Sequence, residues 1–308
     1  MNSIKRSAED PTTCDPRSAQ ARRTFARGGF DRLRRPVLGA GLLVLAMLLP
    51  AGAGAQTFDH GHARWDALLK AVVEVSPDGT RSAVRYRRLK ADRAALDGVL
   101  SALSAVGAAE YAGWSKPQRL AFLINAYNAF TIDLVLTRYP DLDSIKDIGG
   151  LFSTPWQQRF IPLLGQTISL DDLEHGLILA PGAFDEPRIH VAVVCASIGC
   201  PMLQADAFRA DRLDAQLDDA MRRFLSDRTR NSFDAQRRTL RVSKLFDWYS
   251  DDFGAKAAGA SGVVAYLARY ADALTDREAE REAIRSGAVE LRFTHYDWRL
   301  NDADAGGR

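Results

Sequence analysis

Apolar residues recur every three or four positions from Trp65 to Val75, from Tyr86 to Val106 and most strongly from Pro117 to Arg138, which predicts three amphipathic helices. The third must end before Pro140, because proline cannot continue a helix. A fourth helix is expected at Ser169, whose hydroxyl caps free amides while Asp172 stands at the capping-box position and Leu170, Leu173, Leu177 and Ile178 form the apolar face. Asp206 to Leu225, Gly262 to Tyr270 and Asp276 to Ser286 complete the helical stretches. Ile189 to Val194 is short, valine-rich and apolar throughout, the pattern of a strand buried on both faces. Thr239 to Val242 and Val289 to Thr294 read as further strands. The fold class expected is therefore α+β: a helix-rich single domain with a small sheet.

The first 55 residues change this picture. Arg32, Arg34 and Arg35 precede the apolar run Val37 to Leu49, and Ala53-Gly-Ala55 supplies small residues for cleavage, so residues 1–55 read as an export signal and 56–308 as one mature domain. The run is shorter than the roughly 20 apolar residues a bilayer span needs, so no stable membrane span is expected after cleavage. Arg22-Arg23-Thr-Phe25 also resembles a twin-arginine export motif. Residues 1–55 hold nine Lys+Arg and four Asp+Glu of the chain's 41 and 39, which leaves 32 and 35, formally −3, in the remainder. That balance offers no basic surface for phosphates, and no nucleic-acid partner is expected. The expected location is periplasmic or secreted. Cys14 leaves with the signal, and Cys195 and Cys200 then meet an oxidising compartment.

Those two cysteines frame the candidate chemistry, Arg188-Ile-His-Val-Ala-Val-Val-Cys-Ala-Ser-Ile-Gly-Cys-Pro201. As a thiol, Cys195 would be a nucleophile delivered to a strand-to-loop junction, needing a nearby imidazole and a third group to hold that base. His190 and His175 are both candidates for the base, with Glu174 or Asn125 to orient it. Residues alternate faces along a strand, so spacing does not secure a pairing of His190 with Cys195. As a disulfide, Cys195 and Cys200 would staple a loop that Gly199 lets turn tightly. Asn125 and Asn128 share one face of an apolar helix and must be locked to partners if buried. Asp59-His60-Gly-His62 offers imidazoles but no third ligand nearby, so neither a metal nor another cofactor is expected. The chain has no HExxH, P-loop or G-x-S-x-G signature. The aromatic pairs in Phe246-Asp-Trp-Tyr249 and Tyr296-Asp-Trp298 read first as core packing and second as cleft lining.

Taken together, several of these pieces resemble the domain of unknown function 547 family. They are His60 with Trp65, Asn125-Ala-Tyr-Asn128, Ser144-Ile-Lys146, Pro155-Trp156, Ser169-Leu170 with Leu173-Glu-His175, Pro187-Arg-Ile-His190, Cys195-Ala-Ser, Gly199-Cys-Pro201, Ser243, Trp248-Tyr249 with Asp252-Phe253, Tyr296-Asp-Trp298 and Leu300-Asn301. Membership implies no established reaction. Such domains are similar to the papain and transglutaminase-like cysteine enzymes, and that analogy of fold implies an amide or ester hydrolase or acyltransferase. Cys195 would then attack, and His190, Glu174 and Asn125 would complete the catalytic set. Asn128 and the amides of the Ala196 to Gly199 turn would hold the oxyanion, and Asn128, His175, Arg188 and Cys200 would contact a small-molecule or peptide ligand. The alternative is a non-catalytic periplasmic ligand-binding or envelope-maintenance domain whose cysteines are structural.

Overall fold

The Ser115 hydroxyl accepts the Gln118 N–H and the Gln118 side chain accepts the Ser115 N–H, a capping box that opens the helix Lys116–Leu136. Nearly every side chain from Leu120 onward on this helix is buried, Asn125 and Asn128 among them. By length and composition it is apolar enough to cross a membrane, yet it is the rod around which the main core forms. The computed structural model describes residues 57–150, 153–255 and 262–305. The expected export signal over residues 1–55, with Cys14, lies outside the described residues.

The helix Ala63–Val72 packs on Ala94–Ser104, which packs in turn on Lys116–Leu136. Two antiparallel hairpins flank this layer: β1 (Val73–Val75) with β2 (Ser82–Val84), and β3 (Ile161–Leu163) with β4 (Gln166–Ile168). A three-stranded sheet joins β5 (Ser232–Asp234), β6 (Thr239–Val242) and β7 (Glu290–Phe293), with β5 antiparallel and β7 parallel to the central β6. Leu240 on β6 faces a second apolar cluster that includes Phe224, Phe246, Phe253 and Ile284. The helix Leu213–Ser226 straddles both clusters, giving Leu213 and Leu217 to the first and Met221 and Phe224 to the second. The architecture is helix-rich α+β with small sheets.

Four expected elements are corrected. The first helix stops at Val72, because Val73-Glu-Val75 pairs with β2 and β-branched residues favour that extended geometry. The pattern from Tyr86 to Val106 divides into Tyr86–Ala91 and Ala94–Ser104, with Arg93 between them pairing with Asp97 and with Asp133 of the core helix. Residues 206–212 are not helical, because both side-chain amide groups of Asn125 hold the backbone of Phe208. Most consequentially, Ile189 to Val194 is not a strand. Pro187–Val191 forms a 3₁₀ turn, with Pro187 at its start and the Glu186 carboxylate accepting the Arg188 N–H.

Candidate functional site

The turn at Pro187–Val191 needs no neighbouring strand, since Asn128 supplies the missing partner. Its Nδ2 donates to the Ala192 carbonyl at 2.9 Å and its Oδ1 accepts the Val194 N–H at 3.0 Å. The chain is thereby anchored to the core helix immediately before Cys195. Cys195 and Cys200 are joined in a disulfide. Both are buried, as is Ser197 between them, while Ile198 at the loop tip is 42% exposed. Ala196 adopts a left-handed φ of 59°.

Residues 296–301 cover this loop. The Tyr296 hydroxyl lies 3.1 Å from Cys195 Sγ, 3.0 Å from Cys200 Sγ and 3.2 Å from Ser197 Oγ. Ile198 N–H donates to the Arg299 carbonyl and Gly199 N–H to the Asp297 carbonyl, each at 2.8 Å, and Asn301 N–H donates to the Ala196 carbonyl at 3.1 Å. A Cβ on Gly199 would meet the Asp297 nitrogen at 2.8 Å, so glycine is required there by the close approach of the covering backbone. From below, the Arg230 guanidinium, paired with buried Asp227, reaches the carbonyls of Ile198, Gly199 and Cys200. Two expected oxyanion donors, the Ile198 and Gly199 amides, are therefore already engaged, and so is the Asn128 side chain.

Neither candidate base is hydrogen-bonded to a sulfur among the described residues. His190 is fully buried, its Nε2 lies 2.8 Å from Asp252 Oδ2 and its ring stacks on Tyr249 at a centroid distance of 3.7 Å. His190 makes no hydrogen bond to Cys195, and its Nδ1 has no hydrogen-bond partner among the described residues. The partner that orients it is Asp252, not Glu174 or Asn125. Glu174 is instead buried beneath two phenols, accepting the Tyr127 and Tyr249 hydroxyls at 2.9 Å each. It belongs to the segment Asp172–Ile178, where the expected Ser169 capping box is present but the turns widen to π-type. His175 sits on the same segment, 3.3 Å from Asp171. Burial opposes its charge, but Asp171 and the nearby Glu174 carboxylate outweigh that and raise its pKa to about 9. Arg188 pairs with Glu186 at 2.7 Å and Asp214 at 2.6 Å.

Asp252, Tyr249, Tyr127 and Tyr296 are the residues missed as site partners. Their signal was present, since all but Tyr127 stand beside aromatic and acidic neighbours late in the chain, but no spacing rule links residue 190 to 252 or 195 to 296. Tyr296 and Trp298 combine both expectations for the aromatic pairs. They pack on each other and on Trp248, at centroid distances of 4.6–5.9 Å. They also line an open groove of about 580 Å³ with Asp143, Ser144 and Asp147. Among the described residues, no group of three or more His, Cys, Asp or Glu is placed to hold a metal ion.

This constellation of the Asn125-Ala-Tyr-Asn128 helix, the Glu174 turn and the Cys195 loop coincides with a family match over residues 111–225, to the family described as protein of unknown function, DUF547. That stretch belongs to the DUF547 family. No curated protein and no solved structure matches the chain. The DUF547 segment contains Asn128, Glu174, His190 and both site cysteines, whereas Asp252, Tyr249 and Tyr296, which complete their contacts, come from residues beyond it.

Proposed function

We propose that this chain is a non-catalytic, exported ligand-binding domain of the cell envelope, in which the Cys195–Cys200 crosslink is structural. One observation carries the reading: the sulfurs are joined and closed in under Tyr296, within a loop whose backbone groups are held from both sides. A nucleophile needs a free thiolate, a base within reach and unspent donors at the oxyanion position. The residues around Cys195 are committed to bracing instead. The crosslink fixes Tyr296, and Tyr296 forms the wall of the groove with Trp298, where a small molecule or peptide would lie against aromatic faces and the Asp143 and Asp147 carboxylates.

Alkylation of the purified protein with and without reduction, followed by mass analysis and peptide mapping, tests this. The expected result is no labelling of Cys195 or Cys200 until a reductant is added. Rapid labelling of Cys195 in the unreduced protein at neutral pH overturns the reading.

A second reading, a cysteine hydrolase or acyltransferase, is favoured by the His190–Asp252 pair. A carboxylate on Nε2 holds the tautomer that leaves the Nδ1 lone pair to accept a proton. A reductant must first free Cys195. Turnover of an acyl ester by reduced protein, lost in Cys195→Ser and in His190→Phe, would select this reading.

A further inference from the structure

Asp59-His60-Gly61-His62 takes no part in the site above, yet the structure gives it a defined task. The Asp59 carboxylate accepts the Gly61 and Ala63 amides at 2.8 and 2.9 Å, folding the segment into a turn that opens the helix Ala63–Val72. His62, at a left-handed φ of 51°, is 95% buried, and its ring meets the Phe58 ring edge-on at 5.2 Å. His60 meets the Trp114 ring edge-on at a centroid distance of 4.5 Å. Both imidazoles are thus packed edge-on against aromatic rings, and among the described residues no group of three or more His, Cys, Asp or Glu forms around them to hold a metal ion.

Phe58, Asp59 and His62 of this turn line a cavity of about 420 Å³, within the size range of small-ligand pockets. Phe58, Trp65, Val99, Leu103 and Val106 give it an apolar wall. Four ionisable side chains also line it, beside the hydroxyls of Thr57 and Ser101. Of these, Asp59 is engaged by the turn amides and Glu110 accepts the Phe58 N–H at 3.2 Å. His62 contributes no charge near neutral pH, because burial depresses its pKa to about 4. Arg64 is left, the one cation in the lining, and it has no ion-pair partner among the described residues. Its guanidinium lies across Gly98, on the border with a neighbouring cleft of about 360 Å³ that it also lines. His62 Nε2 is a buried polar atom with no hydrogen-bond partner among the described residues, the kind of group that calls for an explanation.

The geometry points to a second binding site in this cavity, for a small and largely apolar molecule carrying one anionic group. The apolar body lies between Phe58, Trp65 and Val106, and the anion meets Arg64. The site shares no lining residue with the Tyr296 groove and does not depend on the state of the cysteines.

Fluorescence titration of the full chain with anilinonaphthalene sulfonate, a fused apolar ring system with one anionic group, tests this, with decanoate and the uncharged decanol as competitors. The expected result is saturable one-site binding displaced by both. Ala102→Trp, which plugs this cavity from an exposed position, abolishes it, whereas Ala67→Trp, which plugs only the neighbouring cleft, leaves it unchanged. Arg64→Ala weakens the sulfonate and decanoate about tenfold, as loss of a charge-assisted contact does, and leaves decanol unaffected. Thermal melts of each variant confirm that it folds. Absence of saturable binding overturns the inference, whether the cavity stays empty or residues before Thr57 fill it. So does retained binding in folded Ala102→Trp, or an equal effect of Arg64→Ala on acid and alcohol.

Discussion

Asn128 holds Val194 through a single side chain, accepting its N–H at 3.0 Å while donating to the carbonyl of Ala192 two residues earlier. One amide thus does the work of a neighbouring strand. Replacing it by alanine strands two buried backbone groups, and Asn128→Ala should cost about 1–3 kcal/mol. Denaturant unfolding measures this. A change within error of zero would mean that the approach to Cys195 is braced by something else.

The crosslink closes a loop of only a few residues, so loop-closure entropy assigns it about 2 kcal/mol. A double Cys195→Ser, Cys200→Ser variant should lose that much stability while remaining folded. The same variant should bind more weakly any ligand found for the Tyr296 groove. Unchanged melting on reduction of the native protein would remove the structural role assigned to the pair.

Gly199→Ala sets a methyl group against the Asp297 backbone and the Tyr296 ring. The covering segment must shift, at about 1–3 kcal/mol for overpacking of this kind. Tyrosine fluorescence and hydrogen exchange at Ile198 and Asn301 would report the displacement. Full protection of those amides in the variant would contradict the close approach.

Glu174 accepts from two phenols, and a glutamine offers only one oxygen in its place. Glu174→Gln should therefore destabilise by about 1–3 kcal/mol and loosen Tyr249 from His190. Calorimetry provides the first number. The His190 imidazole resonances in proton NMR, shifted by the ring current of Tyr249, provide the second. A variant as stable as the native protein, with those resonances unmoved, would count against the two-phenol arrangement.

His62 and His175 tilt stability in opposite directions. Burial keeps His62 neutral down to about 4, whereas the unfolded chain protonates it near 6.5, so stability falls as pH drops between those values. For His175, burial is outweighed by Asp171 and Glu174 and the pKa rises to about 9, so its contribution is complete below about 6.5 and is lost as pH rises through 9. His62→Asn, which tolerates the left-handed backbone, should flatten the acid limb of a stability profile. His175→Gln should flatten the alkaline limb. Native slopes in either variant would assign that limb to other groups.

Local signals carried far in this chain. The capping box at Ser169 and Asp172, the strand Thr239–Val242 and the burial of Asn125 and Asn128 on one helix face were legible, because each shows in the local pattern of residues; the distant backbone groups that partner the two amides were not. What stayed hidden was long-range substitution. Ile189 to Val194 has the composition of a strand, but its hydrogen bonds go to a side chain about 65 residues earlier, which no periodicity encodes. The same holds for His190 with Asp252 and for the sulfurs with Tyr296. Both cysteines were visible, and their joining was one of two readings that composition left open.

The strap of residues 296–301 has a temporal meaning as well. It contributes carbonyls to Ile198 and Gly199, and Asn301 carries its carbonyl onward to the Val84 amide and its side chain to the Tyr86 hydroxyl. The loop between the cysteines therefore waits for segments synthesised about a hundred residues later, and closing so distant a contact is intrinsically slow. Until that strap arrives, Cys195 and Cys200 lack their cover. Whichever oxidant or thiol reaches them in that interval meets the pair at its most open.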